Sequence, residues 1–385
     1  MDKNNLINFF LDNTKNTDNL GVGTEHEKFI FLSKEKKRIP FKGDVSINSL
    51  FQFLLTKGWL PGEISDGNII SLSRDGANIT LEPGGQVELS GKIQKNIHET
   101  CAETTAHLEE LKIFIKDNNL CMMGLGFDPI SSMEDIYWIP KKRYNIMRSY
   151  MPQVGSRGLD MMSRTCTVQA NFDYTSESDL VKKFVVSNRI QSFVIAMFCN
   201  SPFREMKHNG YLSNRVLTWS DTDIDRCGIK EIFINKNFSI EEYVDFALDV
   251  PNYFLEIDNN YVDTTKYSFN QILKRQTNNK LIDNHDLSLD NWVSHLSTIF
   301  TEVRLKSYLE VRGADAGKWQ MICALPAFWT GLLYDEENLN ILWNETHKWN
   351  YSDIMDLYKN VSKEGLKSKF QGENIYDYCQ YLLKL

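Results

Sequence analysis

Two rhythms organise the hydrophobic positions of this chain. Over about 99–118, Cys101, Leu108, Leu111 and Ile115 recur at helical spacing, and comparable patterns cover about 177–200, 240–249, 289–300 and 319–334. Such spacing predicts helices with one buried side. The opening stretch has the same rhythm in Leu6, Phe9 and Phe10. Between these segments, the runs 22–32, 79–89, 165–174 and 307–313 alternate residue by residue beside Gly or Asp turn chemistry, which predicts strands. Alternating strands suit an antiparallel sheet with one covered face, so the order predicts an α+β fold. No repeat, low-complexity tract or Pro/Gly linker interrupts it, and 1–385 is expected to form a single domain.

The polar halves of the strands carry the chemistry. In an extended chain Glu25 and Glu27 leave the same face about 7 Å apart. The run 81–91 would place Glu82, Gln86 and Glu88 opposite Val87 and Leu89. In 165–174, Thr165, Thr167, Gln169, Asn171 and Asp173 oppose Cys166, Val168, Ala170, Phe172 and Tyr174. In 307–313, Tyr308, Glu310 and Arg312 oppose Leu309 and Val311. Each strand by itself reads equally as a solvated face; four in one sheet would form an oxygen-rich floor. Oxygen ligands without clustered His or Cys select Mg or Mn over Zn, and Mg commonly keeps phosphate oxygens among its ligands, which points to a nucleotide. The chain has no GxxxxGK[ST] segment, so metals and arginines must hold the phosphates. Gly84 and Gly85 offer either a close backbone approach to phosphate or a plain turn.

Composition narrows the partners. With 385 residues, 42% of them hydrophobic, the chain is long enough for a substantial core. Its 43 basic and 51 acidic residues give a net charge of -8 without a basic block, which argues against nucleic acid and membrane surfaces. Small-molecule substrates are the expected partners, and a monomer or a homodimer is open. The longest uncharged stretch, 190–203, contains polar residues and is too short for a bilayer. The opening segment has no export or organelle signal, and a cytoplasmic protein is expected. Seven cysteines stand singly, without CxxC pairs, so neither a zinc ribbon nor a disulfide framework is signalled.

The ordered segments GTEHEKF (23–29), LEPGGQVELSG (81–91), 143–174, NSPF (200–203), TWSDTDIDRCG (218–228), YVDFALDVPNYF (243–254) and SYLEVRGADAG (307–317) together resemble the plant and proteobacterial type of glutamate-cysteine ligase. The resemblance implies a glutamine-synthetase-like core, an antiparallel bowl backed by helices. It also implies a reaction in which ATP phosphorylates the glutamate γ-carboxylate and the cysteine amine displaces phosphate, the first step of glutathione synthesis. Carried over residue by residue, Glu25, Glu27, Glu82, Glu88 and Glu310 would ligate Mg, with Gln169 beside them. Arg312, with Glu310, would act in catalysis and contact phosphate. Arg226 would pair with the glutamate α-carboxylate, unless it forms an ordinary ion pair with Asp223 or Asp225. Trp219, Arg148, Tyr150 and Met151 would line amino-acid pockets; Arg164 would be a phosphate contact or a strand-edge cation. A related ligase with another amine acceptor, and a non-catalytic nucleotide-binding relative, stay open as alternatives. Some plant members regulate activity through a cysteine pair after the 243–254 region; here no cysteine lies between Cys227 and Cys323, so that switch is expected to be absent. Relatives continue through a further helical segment where this sequence ends within an apolar helical pattern.

Overall fold

The computed structural model describes residues 1–258, 260–276 and 287–385. Its centre is β1 (Val22–Leu32), an eleven-residue strand in a ten-stranded sheet. The others are β2 (Lys37–Arg38), β3 (Leu60–Pro61), β4 (Ser71–Arg74), β5 (Ala77–Leu81), β6 (Val87–Ser90), β7 (Leu120–Met123), β8 (Val168–Phe172), β9 (Val303–Leu305) and β10 (Leu309–Val311). They lie in the order β9-β10-β8-β1-β6-β5-β4-β3, while β2 and β7 pair with the far end of β1. Every pairing in this sheet is antiparallel. Alternation therefore identified the sheet, with one correction. The run 79–89 is a hairpin, because Gly85 at φ +80 turns the chain and its N–H bonds Glu82 O at 2.7 Å. That backbone region admits glycine without penalty.

The helices are α1 (Lys3–Leu11), α2 (Ile47–Leu55), α3 (Ile97–Asp117), α4 (Lys142–Val154), α5 (Gly158–Arg164), α6 (Glu177–Phe198) and α7 (Asn214–Trp219), followed by α8 (Ile240–Asp249), α9 (Phe269–Gln276), α10 (Leu289–Ser297), α11 (Trp319–Leu333), α12 (Glu336–Thr346), α13 (Tyr351–Glu364) and α14 (Ile375–Leu382). Side-chain caps fix several starts: Asn96 accepts from Glu99 N, Ser176 from Asp179 N and Ser239 from Glu242 N. The pattern over 289–300 stops as helix at Ser297, and Phe300–Thr301 instead pairs in parallel with Cys227–Gly228.

The sheet's covered face rests on two hydrophobic clusters. Val168, Ala170, Phe172, Val303, Leu305, Leu309 and Val311 pack with residues of α6, α8, α11 and α13. Ile79, Leu81, Val87 and Leu89 pack with Leu50 and Leu54 of α2 and Leu111 and Phe114 of α3. Burial of each large aliphatic side chain contributes about 1.5–3 kcal/mol, enough to hold the polar residues of the same strands on the opposite face. No helix among the described residues is long and apolar enough to cross a membrane.

Candidate active site

On the polar face of the sheet lies a pocket of about 280 Å3. One wall is acidic. Register sets Glu25 beside Gln169 of β8 and Glu27 opposite Glu88 of β6, while the hairpin turn brings Glu82 to the same space. None of these four carboxylates is ion-paired among the described residues. Glu25 accepts from Asn171 Nδ2 at 2.8 Å and Gln169 Nε2 at 3.3 Å; Glu27 accepts from Thr167 N at 3.1 Å; Glu88 accepts from Thr80 Oγ1 at 2.6 Å. Burial, and then the charges of Glu310 and Glu88, push Glu25 up to about 7. Glu27 is raised well above the carboxylate range by burial and by Glu82 and Glu88. Burial also raises Glu82 and Glu88, the latter further through Glu82. Crowding acidic groups without counter-ions is costly to their charged forms, which is why each is pushed toward protonation.

The other side is cationic, formed by Arg215 of α7, Arg304 of β9, Lys306 just beyond β9 and Arg312 just beyond β10, while Arg143 of α4 stands nearer Glu82, whose charged form it favours. Arg304 grips Glu310 with two bonds of 2.6 and 3.0 Å, Arg312 Nη1 reaches it at 3.0 Å, and Lys306 stands 3.8 Å away. Three cations thus share one carboxylate. Arg312 Nη1 also bonds Gln169 Oε1 at 2.8 Å, joining the two walls. Arg215 spends two donors on the carbonyls of Gly313 and Arg312, and its Nε has no partner. Met147, Met161, Met162, Trp219, Phe254 and Phe300 form an apolar end, where the buried Trp219 Nε1 is likewise without a partner.

Several expected residues are placed elsewhere. Glu310 is fully buried and does not line the pocket; burial alone would raise it, but Arg304, Lys306 and Arg312 hold it well below the carboxylate range. Its assignment as a metal ligand is corrected to an anchor for the cations. Arg226 is also fully buried, donating to Asp223 at 2.6 Å and to the carbonyls of Thr298 and Pro251 at 3.1 and 2.7 Å. The ordinary ion pair with Asp223 is what forms, so the substrate fork is withdrawn. Arg164 is spent on Asp160, Glu205 and Ser131 O. Gly84 packs on the Ser163 backbone, where a Cβ would meet Ser163 O at 2.4 Å, and Gly85 serves the turn; neither lines the pocket. On α4, Arg148 stacks over Trp138 at 4.1 Å, Tyr150 packs edge-on to Tyr253, and Met151 accepts from Tyr253 Oη. None of these three reaches the pocket.

Arg143, Arg215, Arg304 and Lys306 were missed by the sequence reading. A signal existed for two of them, since alternation continues back from the 307–313 run through Lys306 and Arg304. Nothing local marks Arg215. As for metal, no group of three or more His, Cys, Asp or Glu among the described residues could by itself hold an ion. The acidic wall supplies hard oxygen donors spread along a surface, and further ligands must come from the occupant.

The glutamate-cysteine ligase family 2 model (GCS2) matches residues 21–380. Glutamate-cysteine ligase A, chloroplastic, of Oryza sativa subsp. indica is 42% identical over 383 residues, covering 100% of this chain and 77% of the relative. The chloroplastic enzyme of Arabidopsis thaliana is 42% identical over 383 residues, covering 100% of this chain and 72% of the relative. Among solved structures, the glutamate-cysteine ligase of Francisella tularensis in complex with AMP matches with a TM-score of 0.55 at 13% identity, covering 96% of this chain and 78% of that one. This likeness places the bowl-shaped antiparallel sheet and its helices in the same fold. The names of the plant relatives overturn the cytoplasmic expectation, since each places its protein in the chloroplast.

Proposed function

This chain belongs to glutamate-cysteine ligase family 2, and we infer from that membership that the two-walled pocket joins the γ-carboxylate of glutamate to the amine of cysteine with ATP as co-substrate. The observation that carries this reading is the meeting of charges: four carboxyl groups without an ion pair among the described residues share one small cavity with five cations, four of them on the far side. A triphosphate with its divalent cation needs both walls, and a glutamate needs the cationic one.

The reaction proceeds in two transfers. A γ-carboxylate oxygen attacks the terminal phosphorus of ATP, the bond to the bridging oxygen breaks, and ADP leaves. The cysteine nitrogen then attacks the acyl carbon, inorganic phosphate departs with the bonding pair, and the amine gives up a proton. Arg312, Arg304 and Lys306 stabilise charge developing on the transferring phosphoryl group, because fixed donors in a site shielded from water act strongly and need no reorganisation. Arg143 and Arg215 are placed to hold anionic groups of the substrates. Glu25, Glu27, Glu82 and Glu88 would hold Mg or Mn, which would offset the triphosphate charge. The unpartnered Trp219 Nε1 and the methionines beside it suit the cysteine side, since thiol and thioether are soft, polarizable neighbours. The closely packed apolar end also limits water, which would otherwise hydrolyse the acyl phosphate.

The test is phosphate release from ATP with Mg and glutamate, assayed with cysteine, 2-aminobutyrate and unrelated amines. Release that depends on glutamate and favours cysteine is expected. Preference for an amine lacking the thiol-sized side chain would overturn the acceptor, and ATP binding without turnover would overturn the reaction.

A further inference from the structure

Behind the catalytic strand lies a second cavity, a groove of about 490 Å3 between α3 and α11. Its floor holds Lys28, which follows Glu27 in β1 and therefore leaves the strand on the reverse side. Lys28 is 2% exposed and has no ion pair among the described residues. Its one hydrogen-bond partner is His26 Nδ1, and the ring beyond His26 is His107, whose two nitrogens are unpartnered. Burial pushes Lys28 down to about 7, and in its protonated form the ammonium has three donors, two of them unused, with no carboxylate paired to it among the described residues. Lys318 at the rim is exposed and has no ion pair among the described residues, and Glu109 is taken by Lys112 at 2.6 Å. The groove thus carries an excess of positive charge around an apolar wall. Leu108, Met122, Ile322 and Trp319 form that wall, and a hydrogen bond of 2.9 Å from its Nε1 to Thr105 Oγ1 fixes the Trp319 indole.

We propose that this groove binds a small organic monocarboxylate, its carboxylate on Lys28 and its hydrocarbon body along Leu108, Met122, Ile322 and Trp319. The cation and the apolar wall together select the class: a compact inorganic anion would leave the wall unused, and a neutral apolar molecule would leave the ammonium unpaired. An occupant would sit against the back of the strand that carries Glu25 and Glu27, without entering the substrate pocket.

Isothermal titration of the full chain with hexanoate, hexanol and hexylamine tests this. Hexanoate is expected to bind about tenfold more tightly than hexanol, with hexylamine weakest, because an anion completes a buried cation's hydrogen bonds. Lys28→Met should remove the preference of hexanoate over hexanol. Thr105→Phe, at an exposed position of α3, should fill the groove and abolish binding of both; its effect also separates the groove from the cationic pocket on the other face, and it decides the matter if Lys28→Met fails to fold. Equal affinity for hexanoate and hexanol in the parent chain, or hexanoate binding unchanged in Thr105→Phe, would overturn the proposal.

Discussion

At the scale of single residues, Arg312 is the side chain whose removal should separate chemistry from folding. It touches both Glu310 and Gln169, so it couples the cationic strand to the oxygen-rich one. Replacing it with Gln keeps a donor of similar length but removes the charge. Turnover is expected to fall by about 10²–10³, the usual loss when one preorganised donor to a developing oxyanion is removed. Phosphate release at saturating substrates measures it, and a loss smaller than tenfold would exclude Arg312 from the transition state. Glu25 gives a different kind of prediction. Its folded pKa of about 7 lies above the ordinary value of 4.5. Below pH 4.5 it is protonated folded and unfolded, and its relative contribution is most favourable. As pH rises from 4.5 to about 7 the unfolded chain gives up the proton first, so stability attributable to Glu25 is lost across that window and stays lost above it. In metal-free protein, Glu25→Gln should therefore gain thermal stability relative to the parent at pH 8 but not at pH 4.5. An equal difference at both pH values would show that Glu25 titrates normally.

At the scale of elements, period-two alternation was enough to identify β1, β8 and β10 and the polar face they share, because pleating is a local property that the chain repeats wherever it is extended. The hairpin of β5 and β6 was less legible: alternation continues through the turn, and only Pro83, Gly84 and Gly85 announce it. Helix faces were harder still. The segment beginning RYNIMRSYM is one helix, but Arg143, Tyr144 and Met147 face the pocket while Arg148, Tyr150 and Met151 turn toward other neighbours. No motif fixes that rotation, since it depends on where the sheet lies. Arg226 fails for a related reason: a guanidinium suited to a carboxylate met one supplied by its own chain. It ties the loop before Cys227 to Pro251 and to the end of α10, and its guanidinium lies 3.7 Å over the Tyr253 ring. Arg226→Met leaves Asp223 buried without its cation and should cost about 3–5 kcal/mol of stability in denaturant unfolding. The KM for glutamate in the folded fraction should stay within about twofold, a change worth less than 0.5 kcal/mol. A large rise in KM with stability intact would restore Arg226 to the substrate site.

At the scale of the whole molecule, parts of the two walls of the pocket rest on different hydrophobic clusters. Glu82 and Glu88 belong to the hairpin backed by α2 and α3, while Arg304, Lys306 and Arg312 belong to strands backed by α6 and α11. An occupant spanning the pocket therefore connects both clusters as well as reacting between them. The charges make this connection conditional. A triphosphate alone meets attraction on one side and, on the other, four carboxyl groups that gain no counter-charge from it, whereas a divalent cation alone meets no group of three or more His, Cys, Asp or Glu among the described residues that could hold it. Each partner corrects the other's deficit, so their binding should be strongly cooperative. In chelator-treated protein, ATP alone or Mg alone should raise the unfolding temperature little. Together, at about 100 times the Kd of the pair, they should add about 2.7 kcal/mol of apparent stability, more than the sum of the separate effects. If ATP alone gives the full shift, the acidic wall does not oppose the triphosphate, and the cation has no place between the two walls.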